Sequence, residues 1–150
     1  MKNVALLTGG GDAPGLNAVI RAVVTRLAYD SQEYRCFGFV DGWAGLRDDI
    51  MIDLDERRVR EIIHEGGTIL GTSRTNLYKN KEGLEKALAV WKRHGLDALV
   101  AIGGDDTLEI AYYLWRDHKL NVVGVPKTID NDVDGTDFTF GFWSSVDQAV

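Results

Sequence analysis

The chain has 150 residues, 45% hydrophobic and 27% charged, the composition of an ordinary globular domain with its own core. That excludes a disordered tail, a collagen and a coiled coil. Seventeen Lys and Arg against 23 Asp and Glu leave a net charge of −6, which argues against wholesale binding to nucleic acid or an anionic membrane, because such surfaces demand a basic face.

In chain order, Met1 to Thr8 lacks the length and cleavage site of a signal peptide and reads as a first strand. Its continuous apolar run, Val4 to Leu7, suits a strand buried on both faces. A glycine-rich turn follows, and Ile20, Val23, Val24 and Leu27 then mark one face of a helix. Arg35 to Val40 reads as a second strand, closed by the turn pair Asp41-Gly42. It carries the one cysteine, Cys36, which permits no intrachain disulfide, fits a reducing cytoplasm and is expected to be buried. Val59, Ile62 and Ile63 mark a short helix ended at Gly66-Gly67.

The second half repeats the rhythm. Leu84, Ala87, Leu88 and Trp91 stripe a helix ending near Gly95, and Leu96 to Ile102 is a buried strand. After Gly103-Gly104, the residues Leu108, Ala111, Tyr112 and Trp115 stripe the next helix, and Val122 to Val125 is a further strand cut by Pro126. Trp143 to Val150 starts another helix. The four tryptophans, Trp43, Trp91, Trp115 and Trp143, are expected in core or interface packing. No apolar run approaches the roughly 20 residues of a membrane span. Strand, turn, helix, strand in this order predicts an α/β fold, doubly wound, with a mainly parallel sheet and helices on both faces.

In such a sheet ligands sit outside the carboxyl ends of the strands, and three unusual loops fall there. The first is Thr8-Gly9-Gly10-Gly11-Asp12-Ala13-Pro14-Gly15-Leu16-Asn17. Its glycines let backbone N–H groups approach an anion, and a helix N-terminus follows. It matches neither common phosphate fingerprint: Leu16 sits where a Walker lysine belongs, and the glycines miss the G-x-G-x-x-G spacing. The second, Gly103-Gly104-Asp105-Asp106-Thr107, sets a carboxylate doublet beside a diglycine. A carboxylate there suits Mg²⁺, which prefers oxygen ligands and substrate phosphates, although Asp106 or Thr107 also reads as a helix N-cap. The third, Pro126-Lys127-Thr128-Ile129-Asp130-Asn131-Asp132, is either a solvated loop of ordinary turn formers or a set for phosphoryl transfer: a cation, a hydroxyl and two carboxylates. A fourth segment, Gly66 to Thr75, adds a glycine-rich turn ending near Arg74, whose guanidinium suits phosphate.

Together these segments resemble the phosphofructokinase family. Gly9 to Asn17, Gly66 to Arg74, Gly103 to Thr107 and Pro126 to Asp132 match its successive motifs in order, over essentially the whole chain, and Thr128-Ile129-Asp130-Asn131-Asp132 after the Gly-Gly-Asp loop is highly specific. The resemblance implies phosphoryl transfer to the 1-hydroxyl of fructose 6-phosphate, giving fructose 1,6-bisphosphate, in the cytoplasm. It implies that Asp130 accepts the proton of that hydroxyl and that Thr128, Ile129 and Asp130 touch the sugar phosphate. Asp105 then holds Mg²⁺, with Gly11, Arg74, Asp105, Asp106 and Thr107 against the donor phosphates, and Asp132 supports the loop.

The donor expected is pyrophosphate. ATP-using members typically have glycine after the Gly-Gly-Asp aspartate, where this chain has Asp106. A carboxylate about 4 Å from an α-phosphate charge repels it by roughly 1 kcal/mol in water and about 4 kcal/mol at a protein-like dielectric. Lys127 suits a pyrophosphate leaving group, and the pair Asp106 and Lys127 resembles that of pyrophosphate-dependent members. ATP remains the alternative donor. Rival readings are a relative of the NAD and lipid kinases, which leaves the third loop unexplained, and a non-catalytic phosphate-binding subunit.

Two departures from the family stand out. Effector-regulated members carry two arginines one turn apart on the first helix, whereas this chain has Arg21 and then Thr25. Family chains are also longer, and their sugar-phosphate site uses a Met-Gly-Arg segment and later Arg and His residues. Residues 1–150 are therefore expected to be a truncated N-terminal, phosphoryl-donor domain. Alone they should be inactive or nearly so, and the parent protein is expected to be a homodimer or homotetramer.

Overall fold

A computed structural model describes residues 1–11, 14–29 and 33–150. Its elements are β1 (Lys2–Thr8), α1 (Leu16–Tyr29), β2 (Tyr34–Phe39), α2 (Trp43–Asp48), β3 (Met51–Asp53), α3 (Glu56–Val59), α4 (Lys81–Arg93), β4 (Leu96–Gly103), α5 (Asp105–His118), β5 (Val122–Pro126) and α6 (Phe142–Ala149). The strands form one sheet in the order β3-β2-β1-β4-β5. β2, β1, β4 and β5 run parallel, and β3 lies antiparallel on the β2 edge.

The continuous apolar run of β1 follows from its central place. Ala5 and Leu7 face one core with Phe37, Phe39, Trp43, Ala87, Trp91, Leu99, Ile110 and Leu114. Leu6 faces a second core with Leu16, Ile20, Val24, Cys36 and Ile102. A strand covered on both faces has no solvent side to alternate with. Helix α4 starts where its sequence provides a cap: Asn80 Oδ1 accepts the Gly83 N–H at 2.6 Å.

Four readings change. Helix α2 and strand β3 were not foreseen, because six residues and three residues are too short to display a period. The single helix expected around Val59, Ile62 and Ile63 is instead α3 followed by a separate 3₁₀ turn at Ile62–His64, which buries Ile62 and exposes Ile63. On α5 the buried face is Thr107, Ile110, Ala111 and Leu114, rotated from the predicted stripe, so Tyr112 and Trp115 stand half in solvent. There they pack on each other, with the Arg116 guanidinium over the Tyr112 and Tyr113 rings. Trp43 and Trp91 are core residues, whereas Trp115 and Trp143 are exposed.

The chain leaves β1 toward β2 and leaves β4 toward β5, so its direction of travel reverses between β1 and β4. A crevice opens at their carboxyl ends. Two buried polar side chains tether the fourth glycine-rich segment to this place. Thr8 Oγ1, fully buried at the end of β1, donates to Gly71 O at 2.6 Å and meets Thr68 Oγ1 at 2.9 Å. Asn17, at the start of α1, accepts the Ile69 N–H at 2.9 Å and donates to Glu65 O at 3.1 Å.

Thr8→Val keeps the volume but leaves the Gly71 carbonyl without this donor. It is expected to cost about 1–3 kcal/mol, read as a lower urea midpoint at unchanged slope. Burial pushes the Cys36 thiol up to about 12, so it stays protonated throughout the neutral range. Ellman's reagent at pH 8 should label the folded chain only at the rate of unfolding.

Candidate active site

At the β1–β4 crevice the glycine loop and the start of α5 touch. Gly9 N donates to Ile102 O at 2.9 Å, binding the loop to β4. Thr107, buried in the first turn of α5, occupies the space where a β-carbon on Gly9 or Gly103 would be, so either substitution collides with its side chain. Gly10 turns the loop with φ at +80°, a conformation that glycine adopts freely. Asp12 and Ala13 of this loop lie outside the described residues.

The α5 terminus has no side-chain cap. Gly104 is its N-cap and Asp105 its first residue, so the capping role considered for Asp106 or Thr107 is not taken up. The carbonyl of Gly104 accepts the N–H groups of Thr107 and Leu108, both at 3.0 Å. The amides of Asp105 and Asp106 belong to the first turn, which has no intrahelical acceptors for them. The third loop joins through β5. Lys127 N donates to Gly103 O at 2.9 Å, and its buried side chain crosses the crevice to donate from Nζ to the Gly11 carbonyl. One lysine thus ties all three loops together.

These loops enclose a cleft of about 450 Å³, lined by Gly10, Gly11, Gly104, Asp105, Asp106, Thr107, Lys127, Thr128, Ile129, Asp130 and Asp132. Nearly every site residue expected from the sequence lines it, and Asp105, Asp106 and Asp130 are exposed to it. Arg74 does not. It lines an adjoining cleft of about 440 Å³ with Trp43, Ser73, Thr75, Asn76, Lys79 and Ile110. The two clefts share Gly10, Gly11, Asp106 and Thr107 as a common wall. Sequence reasoning missed Gly10 and Gly104, although both sit in the loops it singled out. It also missed Lys79 and Asn76, whose only signal is their position just beyond the Arg74 turn.

The chemistry of the first cleft is acidic with one buried cation. Four carboxylates and Lys127 line it. Among the described residues no group of three or more His, Cys, Asp or Glu side chains is gathered to hold a metal by itself. Such a site suits a cation bound by one or two carboxylates, with water and ligand oxygens completing its shell. That is how Mg²⁺ sits with phosphates. Among the described residues no helix is long and apolar enough to cross a membrane.

Comparisons with known proteins identify the family. A phosphofructokinase family profile matches residues 3–150. The pyrophosphate–fructose 6-phosphate 1-phosphotransferase of Amycolatopsis methanolica is 54% identical over 149 residues, which is 98% of this chain and 42% of that protein. The ATP-dependent 6-phosphofructokinase of Glaesserella parasuis is 45% identical over 150 residues, all of this chain and 46% of that one. The structure of Pichia pastoris phosphofructokinase in the T-state superposes with a TM-score of 0.85 at 33% identity, covering 97% of this chain and 17% of that one. The chain spans less than half the length of the curated relatives it matches. With a profile match over nearly its whole length and the motif loops gathered at one crevice, this chain belongs to the phosphofructokinase family.

Proposed function

We propose that residues 1–150 are the phosphoryl-donor and base-bearing part of an enzyme that transfers a phosphoryl group from pyrophosphate to the 1-hydroxyl of fructose 6-phosphate. In this reading Asp130 accepts the hydroxyl proton while the oxygen attacks the terminal phosphorus. The bridging P–O bond breaks, and its electron pair leaves with orthophosphate beside Lys127. Gly11 and the open first turn of α5 face the donor phosphates through backbone N–H groups, and Thr128 and Ile129 face the sugar. Asp105 is the residue that would hold Mg²⁺. Bound there, the ion would neutralise charge on the donor oxygens, which four carboxylates against one lysine otherwise repel.

The observation that carries the choice of donor is the place of Asp106, on the wall between the two clefts. Pyrophosphate fits within the first cleft. A nucleoside triphosphate reaching both clefts must pass this carboxylate, which for charges about 4 Å apart costs roughly 1 kcal/mol in water and up to about 4 kcal/mol at a protein-like dielectric. That corresponds to between about fivefold and about a thousandfold in affinity. Three of the similar relatives are named for pyrophosphate. The ATP-dependent reading rests on the second cleft, which offers room and the Arg74 guanidinium beyond the wall, and on relatives named for ATP. The parent protein is read as a cytoplasmic homo-oligomer, with the rest of the sugar site supplied by polypeptide outside these residues.

Titration calorimetry in magnesium buffer is expected to show pyrophosphate binding at least tenfold more tightly than ATP. Asp106→Gly should raise ATP affinity at least tenfold. Equal affinities in the unaltered chain would defeat the pyrophosphate reading.

The isolated 150 residues, given fructose 6-phosphate and magnesium pyrophosphate, should bind the donor yet form little or no fructose 1,6-bisphosphate in a coupled assay. In a polypeptide that also carries the sugar-phosphate half, Asp130→Asn is expected to lower turnover by roughly 10²–10⁴ without weakening donor binding, since it removes one of the four carboxylates that repel the donor.

A further inference from the structure

Thr139 lies outside both clefts, yet it is one of the few buried polar residues among those described, 4% exposed. Its bonds run back to the loop that carries Asp130. Its hydroxyl donates to the Thr128 carbonyl at 2.9 Å, and its N–H donates to Asn131 Oδ1 at 2.9 Å. Asn131 holds a left-handed backbone, φ +53°, and its Nδ2 donates to Asp137 O at 3.3 Å. Asn is among the few side chains that accept that conformation at little cost. Thr128 is held from its other side as well, its N–H donating to Phe140 O at 3.1 Å. Its hydroxyl in turn accepts the Asp130 N–H at 3.2 Å. Bonds therefore run from Thr139 to Thr128 to Asp130 and close again through Asn131, so the exposed carboxylate rides on a backbone fixed on both sides.

We infer that Thr139, acting with Asn131, is a positioning residue for Asp130, clamping residues 128–132 so that the Asp130 carboxylate faces the donor cleft. The inference rests on the reading of Asp130 as proton acceptor. Without the Thr139 hydroxyl, the Thr128 carbonyl loses its donor and the loop opens around Asp130. The donor-binding backbone of Gly11 and the first turn of α5 stays in place.

The test compares Thr139→Val, which keeps the shape and removes the hydroxyl, with Thr139→Ser, which keeps the hydroxyl. In the unaltered chain the Asp130 carboxyl ¹³C resonance should move on saturation with magnesium pyrophosphate. In Thr139→Val that movement should fall by at least half, while calorimetric affinity for pyrophosphate stays within twofold. Amide exchange at Thr128 and at position 139 should quicken at least tenfold, with exchange at Leu99 in β4 unchanged. Thr139→Ser should restore both signals. A Thr139→Val chain that behaves like the parent, or a serine variant no better than valine, would overturn the clamp. Should Thr139→Val fail to fold, Asn131→Gly removes the clamp from the other side, at a backbone angle glycine accepts, with the same expectations. An Asp130 resonance indifferent to pyrophosphate in the unaltered chain would strike the proton-acceptor reading instead. The exchange comparison then decides the clamp alone: faster exchange supports it, and unchanged exchange refutes it.

Discussion

The packing of Thr107 against Gly9 and Gly103 is the contact on which the site depends. It brings the first turn of α5 against the loop after β1, so the connections that leave the adjacent ends of β1 and β4 in opposite directions present their backbones to one crevice. Neither glycine can take a side chain there without driving helix and loop apart. The Lys127 side chain then draws the third loop to the same place through the Gly11 carbonyl. The arrangement is held chiefly by backbone and small side chains. That leaves the charged groups, Asp105, Asp106 and Asp130, exposed at its surface rather than spent on holding it together.

A protein of net charge −6 gains nothing from its overall field when it binds an anion. Attraction must come from within a Debye length, about 8 Å at physiological salt, and the crevice supplies it in three forms. The open end of α5 contributes the positive end of its dipole, Lys127 contributes one full charge, and Arg74 stands across the shared wall. Against these stand four carboxylates. The balance is unfavourable for a polyanion alone, which is the physical reason for coupling donor binding to a divalent cation in the proposed reaction.

Most of the fold was legible because the decisive signals are local. The apolar run of β1, the paired glycines at strand ends and the Asp105-Asp106 doublet need no knowledge of the rest of the chain. What escaped was set by tertiary context. Helix α2, despite Gly45, is held by burying Trp43 and Leu46 in the core beside α4, and the three-residue β3 by its pairing with β2, not by their own propensity. The aromatic residues of α5 imitate a buried stripe, but the sheet meets the helix one position away, at Ile110 and Leu114. In the site, the loops announced themselves through glycine and aspartate, whereas the separation of Arg74 from Asp130 did not. It depends on where Thr8 and Asn17 pin the Gly66 to Thr75 segment. Thr139 was invisible for the same reason: a lone threonine eight residues beyond Asn131 carries no pattern until the chain folds back on Thr128.

Two clefts with a common wall also suggest why donor choice in such a site turns on so little. The backbone proposed to bind phosphate, the carboxylate proposed to hold the cation and the proposed base all line the first cleft. None of them needs to change for the ligand to extend past Asp106 into the second. Discrimination by a charge on the wall is cheap to install and to remove, because residue 106 is exposed in the first turn of a helix. There a carboxylate is favoured by the dipole and a glycine forfeits only about 1 kcal/mol of helix propensity. Near-equal overall similarity to relatives named for either donor is what this predicts. In the proposed reading the fold sets where phosphate lies, and a single side chain sets how long its carrier can be.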